Sequence, residues 1–568
     1  MSTQLRSMMV VLCVAAAAWM EAQTSHAKET SVEVEGEGAV EVEEPQPVGG
    51  EAGEAEAELE EDVGSKKGFV HFEIPGELQL RFNGLADLQV SGIESWDDPT
   101  TPDDEILYKS RNQLGQNFWA ASRIRVAPLL NWKDFLIVKA EFDLLTGPWV
   151  GDKAQGVSAA HEPRDSFYAY DLAGQRFRQL YLELRPGFGI FRFGQMTSQW
   201  GMGILANNGE QALFGYYDGG DLVERAMFAT KPFNKTDVAA LKDLAIVLAG
   251  DLVFDDITAE MKTCKRGKKL EYCGDLAWQA IAAMLWDFKG QKLGFYWVYR
   301  NQTTEDDRKL EVMVFDGFAH GEVMFPKDVK AYVEGEVAYI TNDLPGLDRT
   351  TLAYSISQLD GHRLSQFGTA GKIGLAWREM IDLWVELGYS SGDSNNLDGA
   401  LRQFTMDPGH RIGMILFPEV LAWQSARAST LAAHPNLAGQ PVPGVDLLAS
   451  NGGAFASFYF NPVVRVRPLK YLDGAVGVVV AHASADMVSA FAQKMGGGAL
   501  NYLGGPTANK DLGVELDLAL NFRYPLRVLG LGAGAHFGYL WPGRYFTDAA
   551  GHRMADVWMV MGRLNLDW

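Results

Sequence analysis

Four stretches of this 568-residue chain carry residue types that could do chemistry. His482 stands two positions before Ser484. A base beside a hydroxyl is where a nucleophilic site would start. No G-x-S-x-G or H-E-x-x-H accompanies it, and His536 is equally isolated, so no enzyme is expected. "GLGAGA" (530–535) spells the dinucleotide-binding turn G-x-G-x-x-A. That turn needs a helix behind it, and "HFGYLWP" (536–542) alternates like a strand instead. "SWDDPTTPDDE" (95–105) groups carboxylates as a hard cation would want, but not at EF-hand spacing. Cys264 and Cys273 are the only cysteines beyond Cys13. In an exported chain their closeness fits a loop disulfide; two thiols without partner ligands do not close a metal site. No cofactor and no metal are expected.

The informative charges are those at every second position. In "LQLRFNGLADLQV" (78–90), Leu78, Leu80, Phe82 and Leu88 oppose Arg81 and Asp87. In "FLIVKAEFDLL" (135–145), Val138, Ala140 and Phe142 oppose Lys139, Glu141 and Asp143. In "VKAYVEGEVAY" (329–339), Val333 and Val337 oppose Lys330, Glu334 and Glu336. In "DLGVELDLALNFRYP" (511–525), Leu512, Val514, Leu516 and Leu518 oppose Glu515, Asp517 and Arg523. Successive side chains of a strand point to opposite faces, so each segment has one apolar and one charged face. Eighteen such segments follow residue 76, centred near 84, 122, 140, 181, 194, 226, 248, 282, 296, 313, 335, 373, 386, 460, 479, 518, 534 and 562.

The connections decide what the segments build. Short ones, such as "RPGFG" (185–189) and "FPKD" (325–328), alternate with long, polar, Gly-rich ones. Six short connections carry a proline near the preceding strand: Pro128, Pro186, Pro232, Pro326, Pro468 and Pro525. Proline lacks a ladder donor and ends strands. Segments of about ten alternating residues joined this way predict an all-β transmembrane antiparallel up-and-down barrel of about eighteen strands, with tight turns inside the cell envelope and long loops outside. Closure pairs every backbone polar group, which hydrocarbon demands. Trp119, Trp286, Trp297, Trp377 and Trp568 are expected at the aromatic girdles.

The ends of the chain agree. Arg6, an apolar run and the small-x-small site Ser25–Ala27 read as a signal peptide over 1–27. Residues 28–75 form an acidic, disordered periplasmic segment; fourteen acids face three bases within 28–67. Residues 76–568 are the barrel. The formal net charge of −23 argues against nucleic acid as a partner.

Some stretches resemble known proteins. "VWMVMGRLNLDW" (557–568) alternates to a final aromatic and resembles the signal read by the barrel-assembly machinery, which gives Trp568 an insertion role. "FRFGQMTSQWGMGILANNGE" (191–210), "ELGYSSGD" (386–393) and "FTMDPGHRIGMILFPEVL" (404–421) resemble a group of large porin-like outer-membrane barrels of Gram-negative bacteria. "GYSSGD" is also similar to a strand-to-loop motif of alginate-export-type eighteen-stranded barrels. The resemblance implies a channel embedded among phospholipid and lipopolysaccharide.

The expected function is passage of small hydrophilic solutes. Glu183 and Arg185 join the charges named above, and the full inward set comes to twelve acids and twelve bases. So balanced a lumen promises little ion selectivity. The expected constriction combines Arg192 with Gln199, Trp200, Asn207, Asn208, Glu210, Tyr216, Tyr217 and Asp218, an amide- and aromatic-rich set in the loop after the fifth strand. A short helix within "PEVLAWQSARASTLAAH" (418–434) is expected to pack on the barrel rim. The alternatives are a barrel-anchored binding or adhesion protein with a blocked lumen and, last, a barrel-embedded hydrolase. The oligomeric state is left open.

Overall fold

The structure, a computed structural model, describes residues 70–89, 116–151, 175–210, 212–217, 220–255, 261–266, 269–303, 309–342, 354–356, 359–398, 400–433, 438–439 and 445–568. The signal peptide, most of the acidic segment, the 95–105 carboxylates and Asp218 lie outside these residues.

Eighteen long antiparallel strands close into one barrel among the described residues. They are β1 (Gly76–Ala86), β2 (Gln116–Val126), β3 (Leu136–Gly151), β4 (Gln175–Leu184), β5 (Ile190–Thr197), β6 (Leu222–Thr230), β7 (Leu244–Asp255), β8 (Leu276–Phe288) and β9 (Gln291–Thr303). Then come β10 (Lys309–Phe325), β11 (Val329–Thr341), β12 (Leu359–Trp377), β13 (Ile381–Ser390), β14 (Ser457–Leu469), β15 (Leu472–Ala483), β16 (Asp511–Pro525), β17 (Gly530–Pro542) and β18 (Val557–Asp567). Each expected segment centre falls inside one of them. Every strand pairs with its sequence neighbours, and β18 pairs with β1 from Glu77↔Asp567 to Ala86↔Trp558.

Trp568 closes the seam. The Gly76 N–H donates to the Trp568 carbonyl at 2.9 Å, and the Trp568 N–H donates to the Gly76 carbonyl at 3.0 Å. Gly76 has no side chain because the indole lies where a Cβ would be.

The alternation has the expected sense. Val333, Val337, Leu518 and Leu520 are exposed on the outer face, while Glu336, Glu515 and Asp517 are fully buried on the inner one. Local departures have local causes. Asp87 lies past the end of β1 in a left-handed turn (φ 66°) and is exposed. Leu512 is buried, because a register shift between β15 and β16 at its level reverses the alternation. Trp119 is buried against the interior rather than placed in a girdle, and Trp297 lies mid-strand. The rhythm of connections breaks once: only residues 304–308 separate β9 from β10, as short as a turn. Cys264 and Cys273 lie on the two strands of a hairpin, opposite Glu271 and Lys262 respectively, two positions out of register with each other.

Candidate pore constriction

Among the described residues, two loops carry the expected site residues and the buried helix. The first, a strap over 198–221, follows β5 and crosses the lumen. It begins against β10 and β11: the Trp200 indole N–H donates to Asp316 at 2.8 Å, and the Met202 N–H donates to Glu336. Trp200 stacks on Tyr296 with centroids 5.0 Å apart. The far end reaches β15, β17 and β1. Phe214 fills the space left by Gly477, the Gly215 N–H donates to His536 Nδ1 at 3.1 Å, and the Tyr216 ring lies 3.6 Å beneath the Arg81 guanidinium. In a closed ring of eighteen strands, β10 stands across from β1, so the strap spans the bore.

The sequence stiffens this strap from within. Gln199 accepts from the Asn208 N–H, Asn207 from the Gly209 N–H, and Asn208 from the Glu210 N–H. These amides therefore hold the loop's own backbone, as Asn side chains do in turns; Gln199, Asn207 and Asn208 are buried. The more open residues are Glu210, Tyr216 and Tyr217. They look toward arginines: Glu210 lies 3.5 Å from Arg125, Arg123 sits 5.6 Å from the Tyr216 ring, and Arg411 sits 5.9 Å from the Tyr217 ring. Arg192 stands apart, paired with Glu183 at 2.5 Å on the wall near the short-turn end of β5.

The second loop, between β13 and β14, supplies a plug. Its residues 404–433 include helix α1 (Ala422–Ala433), entered through a wide turn at Leu416–Leu421. The sequence places this helix on the rim, and the structure packs it at the long-loop end against Val445–Leu448 and Ala490–Lys494, with most of its residues buried. Two polar residues that interrupt its apolar face find partners: Gln424 donates to the Gln89 carbonyl at 2.8 Å, and Ser425 to the Ala422 carbonyl at 3.1 Å. Phe404, Met406, Ile415, Phe417 and Val420 pack against Leu85, Trp119, Tyr459, Val479, Ala519 and Met561 of the wall. Burial pulls the Arg427 guanidinium down to about 10, the mark of a cation held away from water. The plug rests on the strap: the Asp407 N–H donates to the Ile204 carbonyl at 2.9 Å, and a His410 ring nitrogen lies 3.0 Å from the Met202 carbonyl.

The remaining expected lumen charges line the wall in pairs. Arg125 chelates Asp143 at 2.7 and 2.9 Å, Arg178 bonds Glu141 at 2.8 Å, and Arg185 bonds Glu183 at 2.5 Å. Lys330 meets Glu322 at 3.3 Å, and Glu334 meets His320 at 3.0 Å and Lys372 at 2.8 Å. Lys139 is part-buried on β3, and Arg523 is exposed near the short-turn end of β16.

Four inward arginines escaped the sequence reading: Arg123, Arg125, Arg178 and Arg225. So did Asp316. Arg378, one of the twelve bases expected on the inward face, lies instead in a turn against Asp328. The corrected distribution is uneven. Arg81 and Arg563 are direct cross-strand partners, with Arg123 and Arg125 on the next strand. Asp316, Glu334, Glu336, Asp382 and Glu386 gather on β10, β11 and β13, across the bore.

No family model matches the sequence, and no curated protein does. Among solved structures, OccK11 (OpdR) of Pseudomonas aeruginosa superposes with TM-score 0.43 at 10% identity over 87% of this chain and 95% of that one. OccAB1 of Acinetobacter baumannii gives 0.44 at 9% identity over 88% and 98%. A BenF-like porin from Pseudomonas fluorescens Pf-5 gives 0.44 at 9% identity over 88% and 100%. By its own geometry the chain is a closed eighteen-stranded transmembrane barrel: apolar outside, charged inside, with loops packed against the inner wall.

Proposed function

We propose that this protein is an outer-membrane channel of a Gram-negative bacterium, passing small hydrophilic solutes through a narrowed, mixed-charge lumen. The observation that carries this reading is the strap. A loop that crosses the bore, holds its own shape and leaves Glu210, Tyr216 and Tyr217 open beside Arg81, Arg123, Arg125 and Arg411 is built to leave a restricted aqueous passage. Arg123 and Arg125 are paired with Glu77 and Asp143, so the bias toward anions rests on the facing guanidinium groups of Arg81 and Arg563, since charge of one sign favours ions of the other. The short-turn end then faces the periplasm, where the acidic segment lies. Cleavage after Ala27, a Cys264–Cys273 disulfide, insertion through Trp568 by the barrel-assembly machinery and contact with lipopolysaccharide belong to the same reading.

The dry plug favours a second reading, in which the lumen is blocked and the long loops bind a partner at the cell surface. Planar-bilayer recording separates the two. Folded protein should give discrete conductance steps with a reversal potential displaced toward anions. Protein that is folded, as shown by heat-modifiable gel mobility, yet electrically silent would overturn the channel in favour of the blocked barrel.

A further inference from the structure

The strap and the plug are fastened to the wall by the same device. In each loop a glycine in the left-handed region precedes a methionine: Gly201 (φ 53°) before Met202, and Gly413 (φ 72°) before Met414. In each, that turn aims backbone N–H groups at one fully buried wall glutamate. Met202 and Ile204 donate to Glu336 on β11. Met414, Ile415 and Leu416 donate to Glu515 on β16 at 2.6, 2.7 and 2.8 Å. The carboxylates press against the glycines themselves. A Cβ on Gly201 would lie 2.6 Å from Glu336 Oε2, and one on Gly413 would lie 2.8 Å from Glu515 Oε1. The plug turn also opens the helical run from Leu416, whose free N–H groups and dipole favour an anion.

Each glutamate contacts a second wall carboxyl, Asp316 beside Glu336 and Asp517 beside Glu515. Asp316 also holds the Trp200 indole. The bore is thus shaped from two stretches of wall, β10–β11 and, five strands on, β16, each bringing one pair of acids to one loop.

We propose that Glu336 and Glu515 are positioning residues for the passage: they touch no solute, but set its width by clamping the strap and the plug at matching Gly–Met turns. This rests on the channel reading above. A residue that merely stabilised the barrel would alter its unfolding and leave its conductance alone. The clamps differ in what glutamine can replace. At 336 an amide oxygen can accept from the strap while its N–H₂ serves Asp316, so Glu336→Gln keeps the clamp. Glu336→Ala removes it.

The test is single-channel conductance and reversal potential of wild type, Glu336→Ala, Glu336→Gln, Glu515→Ala and the double alanine variant, with assembly checked by heat-modifiable mobility. Each alanine change should raise conductance severalfold and weaken charge selectivity, the double variant most, while Glu336→Gln stays at wild type. Should Glu336→Ala fail to assemble, Gly201→Ala presses a methyl on the same carboxylate from the loop side and should give the same shift. Folded alanine variants with wild-type conductance and selectivity would overturn the clamps and leave the channel standing. So would a glutamine variant as altered as the alanine one. Silence from wild type and all variants alike would remove the channel, and the clamps with it.

Discussion

The strap and the plug enter the same bore and solve opposite problems. The strap is short and made of amides, glycines and aromatics. Its polar side chains satisfy its own backbone, and its far end stays open beside the arginines of β1 and β2. The plug is long and apolar, and its burial extends to Gln424 and Ser425. The difference teaches that one bore can be filled in two ways, by polar groups that satisfy their own backbone and by apolar packing against the wall. On the channel reading proposed above, the first would bound the passage and the second would fill the rest of the bore.

The largest test of this contrast removes the strap. Deleting 203–218 takes away the residues that span from β11 to β1, and conductance should rise more than for any point change. Unchanged conductance would mean that the strap does not set the constriction.

The plug should fail differently. Phe417 is fully buried, with its ring 6.3 Å from that of Tyr459. Phe417→Ala should cost about 3–5 kcal/mol of stability through lost burial and a cavity, read as a lower denaturant midpoint. Tyr216→Ala should leave that midpoint nearly unchanged and shift the reversal potential instead. If Phe417→Ala altered only selectivity, or Tyr216→Ala only stability, the division of labour between the two loops would be wrong.

How much of this is legible in the sequence follows from which forces act locally. The barrel is legible because hydrocarbon outside and charge inside impose one period on every strand, and turn prolines mark the ends. The filling is harder to read. Asp316 hides in a strand whose alternation is poor, since Gly317, Ala319 and Gly321 on its outer face carry little apolar signal. Arg123 and Arg125 sit in "WAASRIRV", where small residues blur the two faces. The burial of the plug helix is not announced by its pattern, because a helix apolar on one side points to its partner, whereas one buried nearly all round does not. Its polar residues read as a solvated face, and only the fold shows Gln424 reaching the Gln89 carbonyl. The amides of the strap stand out by type, but only the fold shows that Gln199, Asn207 and Asn208 are buried on the loop's own backbone while Glu210, Tyr216 and Tyr217 stay more open.

The smallest predicted effect probes the point where strap and wall meet. Trp200→Phe keeps the ring stacked near Tyr296 but deletes the indole N–H that Asp316 accepts. Asp316 is buried, so losing that donor should cost about 1–3 kcal/mol. That cost falls on the anchor of the strap and not on the barrel ladder, whose pairing runs unbroken through Asp316↔Ala338 and Tyr296↔Asp316. Global unfolding should therefore shift modestly, while current noise within open channels should increase as the anchored end loosens. A quiet channel with a lowered denaturant midpoint would place Trp200 with the plug residues, as packing alone, and would move the boundary between the polar strap and the apolar filling to the far side of Met202.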